Sequence, residues 1–81
     1  MEIIKTTTTR YYRVDRREIA FIKFIFEAYD GIAMLTTIDP ARGDIALQIA
    51  PRCQEQVEEI LQVLKKQVMI QPLTALPAEQ N

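Results

Sequence analysis

With 81 residues, 48% of them hydrophobic and 26% charged, the chain has the balance of one small globular domain, not that of a disordered tail. Its net charge of −1 argues against any global attraction to nucleic acid or anionic lipid. One cysteine and no histidine leave neither a disulfide framework nor a zinc or iron–sulfur ligand set, so no metal and no cofactor is expected.

The opening Met1-Glu2-Ile3-Ile4-Lys5 is too short and polar for a signal peptide, and no apolar run approaches the roughly 20 residues that span a bilayer. A cytoplasmic location without a membrane partner is therefore expected. Residues 1–7 read as a flexible lead, 8–73 as a single domain and 74–81 as a disordered tail. From Thr8 to Val14 the residues alternate, with Tyr12 and Val14 on one face and Tyr11 and Arg13 on the other, which predicts a first strand. A helix follows over residues 16–30. Asp15 is placed to cap it, Glu18 three residues on is placed to reach back, and Gly31 supplies a left-handed stop. Ile19, Phe21, Ile22, Ile25, Phe26, Ala28 and Tyr29 cover about half of its circumference at about 100° per residue, so cover is expected on more than one flank. Phe24 falls outside that arc, on its solvent edge.

Ile32 to Ile38 reads as a second strand, apolar on both faces, with Ala33 and Leu35 on one side and Ile32, Met34 and Ile38 on the other. Asp39-Pro40-Ala41-Arg42-Gly43-Asp44 has the chemistry of a tight connection: Pro40 sets φ, and Gly43 can turn left-handed. The third strand alternates Ile45, Leu47 and Ile49 with Ala46, Gln48 and Ala50. A second helix is expected from near Pro51 to about Gln67, with Cys53, Val57, Ile60, Leu61, Leu64 and Val68 in one stripe. Val68 to Leu73 reads as a last strand, which Pro72 confines to an edge.

Strand, helix, strand, strand, helix, strand is the order of a ferredoxin-like α+β sandwich, a four-stranded antiparallel sheet with both helices on one face. The opposite face must then meet water or a partner. With Ala33 and Leu35 toward the helices, Tyr11, Ile32, Met34 and Ile38 are the residues expected there; the reversed register exposes Leu35 instead, and either one leaves apolar area that predicts a homodimer interface.

No catalytic constellation is present, because histidine and serine are both absent and the carboxylates are spaced as caps and helix-surface charges. An enzyme is not expected. Cys53 lies in the apolar stripe and reads as a small core residue. The strand order is shared with RNA recognition modules, but the third strand, Asp44 to Ala50, lacks every aromatic needed to stack bases, so nucleic acid is not an expected partner. Residues 1–23 are locally basic, with six cations against three carboxylates. Arg10, Arg13, Arg16 and Arg17 form the one cluster that could receive a small anionic metabolite beside the start of the first helix.

The segments Val14 to Phe24, Glu27 to Gly31 and Thr37 to Gly43 resemble an uncharacterised family of short bacterial proteins, domain of unknown function forty-nine-eleven. That resemblance covers most of residues 10–73 and implies no assigned activity. More distantly the strand order resembles the ACT regulatory domains, which dimerise and commonly bind amino acids at the dimer interface. In those domains a glycine-containing turn follows the first strand; here Asp15-Arg16-Arg17-Glu18 stands in its place. The resemblance implies a non-catalytic, dimeric regulatory or ligand-sensing module. A pure protein-interaction module is the alternative, with weak RNA binding or a small hydrolase more distant.

Overall fold

A computed structural model describes residues 7–73; the expected tail 74–81 and all but Thr7 of the expected lead lie outside the described residues. The elements are β1 (Thr8–Val14), α1 (Ile19–Ala28), β2 (Ala33–Asp39), β3 (Asp44–Ile49), α2 (Gln54–Leu64) and β4 (Ile70–Leu73). The four strands form one antiparallel sheet in the order β2-β3-β1-β4. Each crossover therefore skips over one strand, α1 between β1 and β2 and α2 between β3 and β4. Both helices lie on one face, giving the α+β ferredoxin-like sandwich.

Period-two alternation builds the inner face. Tyr12 and Val14 from β1, Leu35 from β2, Ile45, Leu47 and Ile49 from β3 and Ile70 from β4 are buried against Ile22 and Phe26 of α1 and Val57, Leu61 and Leu64 of α2. Burying these side chains at about 25 cal/mol per Å² of apolar area is the main favourable contribution to folding. Pro72 sits in β4 at the sheet edge, where its missing N–H costs no ladder bond.

Between β2 and β3 the connection works as its residues dictate. Asp39 Oδ1 accepts the N–H groups of Ala41 at 3.0 Å and Arg42 at 3.2 Å, and Gly43 N–H donates to Asp39 O at 2.9 Å. Gly43 adopts φ +83°, and a Cβ there would come within 2.0 Å of the Val14 carbonyl oxygen. Only glycine lets this turn lie against the end of β1, where Val14 N–H donates to Gly43 O at 2.8 Å. Next to it Asp44 is almost fully buried on the outer sheet face, and Arg13 directly across grips its carboxylate through Nε at 2.7 Å and Nη2 at 3.3 Å.

Several boundaries differ from those read in the sequence. The first helix opens with a 3-10 turn over Arg16–Glu18, and Asp15 caps that turn through Arg17 N–H at 3.0 Å; no return bond from the Glu18 side chain accompanies it. The helix ends at Ala28, short of the expected Asp30, with Tyr29 already extended at φ −96° and ψ 95°; Gly31 does not stop it but sits further on, at φ +80°, in a turn closed by Ile32 N–H to Tyr29 O at 3.3 Å. α2 starts at Gln54 and not at Pro51, because Pro51 and Arg52, the latter at φ 70°, form a turn closed by Cys53 N–H to Ala50 O at 3.1 Å. Ile32 is buried, although its parity in a strand would put it with Met34. It lies in the turn ahead of β2, where the pleat does not yet operate.

Candidate binding groove between the helices

α1 is pinned to the sheet by Ile22 and Phe26, which lie side by side on its wheel and dive into the core. Its next flank, Phe21, Ile25 and Tyr29, turns toward α2, which presents Ile60, Val63 and Leu64. The two rows do not close on each other. They leave a groove of about 410 Å³, floored by Ile25, Ile60 and Leu64, with Phe21 and Tyr29 on one wall and Val63 on the other. Gln56, Glu59 and Gln67 supply the polar groups at its margin. Glu59 is the one charged residue that lines it. An apolar trough with two amides and one carboxylate can hold a compact apolar body and orient a donating or cationic end.

Helix α1 carries further apolar surface outside the groove. Phe24 is 66% exposed, as its place on the wheel predicts. Phe21 and Tyr29, which the sequence reading assigned to a covered arc, are 39% and 48% exposed. Their cover is missing because both line the open groove.

The four arginines of the expected anion patch do not converge. Arg10 has the parity of Tyr12, on the helix side of the sheet, and its guanidinium pairs with Glu58 of α2. Arg13 lies on the opposite face, held by Asp44. Arg17 folds back on Asp15 through Nε at 3.2 Å and Nη2 at 3.0 Å. That side-chain bond, and after it the Arg17 backbone N–H, hold the Asp15 carboxyl below the usual carboxylate range. Arg16, Arg17 and Lys23 border an open hollow with Thr37 and Pro40, away from Arg10 and Arg13. A second cleft, about 440 Å³, runs along β1 and β4 beside α2, with the Arg10–Glu58 pair and Lys65 in its lining.

The residues expected at a sheet-face dimer are also dispersed. Met34 is 63% exposed on the open face and Tyr11 half-buried there, whereas Ile38 sits at an irregularity of register between Thr37 and Asp39, and Ile32 belongs to the core. Around Met34 and Tyr11 the open face carries Thr36, Gln48 and the Arg13–Asp44 pair. Met34 is the large apolar side chain that β2 exposes there, and at the other edge of the sheet, just ahead of β4, Met69 is exposed as well.

Ile60 and Leu64 belong to the apolar stripe read in the sequence, whereas Val63 was not singled out. Val63 stands one position off the buried stripe, and that displacement was the available signal. Among the described residues no group of three or more His, Cys, Asp and Glu is arranged to hold a metal, and no helix is long and apolar enough to cross a membrane. A family model described as Domain of unknown function (DUF4911) matches residues 12–68. No curated protein and no solved structure matches the chain.

Proposed function

The chain belongs to the DUF4911 family, and from that premise we propose that it is a non-catalytic regulatory module that senses a small molecule in the groove between α1 and α2 and acts as a dimer. The observation that carries the reading is the groove itself. Its volume of about 410 Å³ falls at the small end of the range for ligand sites, roughly 300–1,000 Å³, and its lining pairs an apolar floor with a few polar groups. The single charged group, Glu59, favours a neutral or cationic ligand over an anionic one. The ACT-like strand order supports a regulatory role by analogy of fold. The turn after β1 is a poor ligand cradle, since Asp15 and Arg17 already occupy each other there.

Amide chemical shifts of the full chain, titrated with benzylamine, benzyl alcohol and benzoate to about millimolar concentration, the range fitting for fragments of this size, test the reading. Shifts at Phe21, Ile25, Ile60 and Val63 with the first two probes, stronger than with benzoate and abolished by Val63→Trp filling the groove, are expected. Absence of shifts at the groove with all three, or shifts confined to other surfaces, would overturn it.

A second reading, a protein-interaction module, is favoured by Phe24, whose exposed ring lies outside the groove and has no part in holding a small ligand.

A further inference from the structure

The apolar surface that the fold leaves open is concentrated on α1, and its arrangement specifies what covers it. With Ile22 and Phe26 facing the sheet, Phe24 points directly away, flanked on the wheel by Ala28 and Phe21 and then by Ile25. These four recur at three- and four-residue spacing, the pattern of a helix seam and not of a scattered surface. Phe21, Phe24 and Ala28 are exposed, and Ile25, half-buried, lies where the seam meets the floor of the groove.

We propose that this seam is the interface with a second copy of the chain, two α1 helices packing antiparallel about a two-fold axis that passes near Phe24 and Ile25. The inference rests on the dimeric part of the function proposed above, and it moves the contact from the open sheet face to the helical layer. Two features of the sequence on this helix fit one another only in that arrangement. Size is the first. An antiparallel register centred between Phe24 and Ile25 sets Phe21 against Ala28 of the second copy and Phe24 against its Ile25, large against small at the ends, as knobs and holes require. Charge is the second. Lys23 and Glu27 lie four residues apart on the same flank of the seam, and both are exposed. A two-fold axis perpendicular to the helices brings each flank against its own copy. In the antiparallel register Lys23 comes alongside Glu27 of the second copy twice over, whereas a parallel pair, with its two-fold along the helices, would set this flank against the opposite one, where Ile25 and Tyr29 offer neither charge a partner.

A membrane surface would call for a basic margin, but on this flank Arg17 is paired with Asp15, and Glu27 and Asp30 offset Arg16 and Lys23, so it carries no net positive charge. The open sheet face competes less well, because Thr9, Arg13–Asp44, Thr36, Gln48 and Gln71 interrupt the apolar side chains on it.

A ten-residue helix is about 15 Å long at 1.5 Å per residue, so the contact belongs to the small, reversible class of interface. Sedimentation equilibrium of the full chain from about 10 µM to 1 mM suits that class. A monomer–dimer equilibrium is expected in the wild type. Phe24→Asp should weaken it by about 30-fold or more, as loss of a central anchor does. Lys23→Glu should weaken it by up to about five-fold, and Lys23→Glu with Glu27→Lys should restore it, because exchanging both charges preserves the pairing across the axis. Circular dichroism of each variant at low concentration confirms that it is folded. A wild type that stays monomeric throughout overturns the proposal and leaves the groove reading standing. A dimer untouched by Phe24→Asp but broken by Met34→Lys overturns it in favour of the sheet face. A dimer that behaves as expected in a chain that binds none of the groove probes fails the ligand reading alone.

Discussion

The two helices cover the same sheet, yet they are built differently. In α2 the buried residues Val57, Leu61 and Leu64 form one stripe and the remaining surface is mostly Glu and Gln, so apart from Val63 on the groove wall its sequence is accounted for by the core it covers. In α1 only Ile22 and Phe26 are buried, while Phe21, Phe24 and Ala28 stay exposed and Lys23 and Glu27 are the charged residues in ten. The core explains two of its apolar positions, and contact with that core explains two more, the half-buried Ile19 and Ile25. What remains is a surplus, and surplus apolar surface on a small domain is a mark of recognition.

Substitutions along both helices test that division. Phe26→Ala should cost about 3–5 kcal/mol and Leu61→Ala about 2–5 kcal/mol in urea unfolding, since each leaves a cavity in a closed core. If α1 were merely laid on the surface, Phe26→Ala would cost far less than its counterpart in α2. Phe21→Ala, on the groove wall, should cost about 1 kcal/mol, because its ring is only part-covered. Phe24→Ser should stay within about 0.5 kcal/mol in dilute protein, as exposed positions do. A loss near that of Phe26→Ala would place Phe24 in the core and dissolve the contrast.

The heads of the helices differ as well. Asp15 caps the turn that opens α1, while Cys53 before α2 makes no side-chain cap bond. The Asp15 carboxyl is held below its ordinary range by Arg17, so in the folded chain it binds its proton at lower pH than in the unfolded one. Its stabilising effect is therefore present above the ordinary aspartate value, about 3.9, and is lost as the pH falls through the folded value. Asp15→Asn retains a capping side chain but cannot titrate, so the fall in urea midpoint below about pH 4 should be shallower than in the wild type. Identical acid limbs would show that the Asp15–Arg17 contact does not contribute.

Much of this was legible in the residues. Alternation gave β1 and β3, the spacing of Val57, Leu61 and Leu64 gave α2, and Asp39-Pro40 with Gly43 gave the hairpin. The same alternation that separates Tyr11 from Tyr12 also separates Arg10 from Arg13, so dispersal of the arginine cluster was written in the strand itself. Their partners Glu58 and Asp44 lie 48 and 31 residues away and depend on the fold. The groove was not legible, because seven apolar positions on one helix do not reveal how closely a second helix approaches. Ile32 misled for a local reason: period two holds within a strand and not in the turn before it.

The claim that the outer surface of α1 serves recognition and not folding is tested most directly by the thermal unfolding midpoint, measured by calorimetry at about 20 µM and about 1 mM protein, for the wild type and for Phe24→Asp. Association of folded chains makes the midpoint depend on concentration. The expected result is a wild-type midpoint that rises with concentration, and a variant that matches the wild type when dilute and does not rise. A wild-type midpoint independent of concentration, or a dilute variant that melts well below the wild type, would contradict the claim.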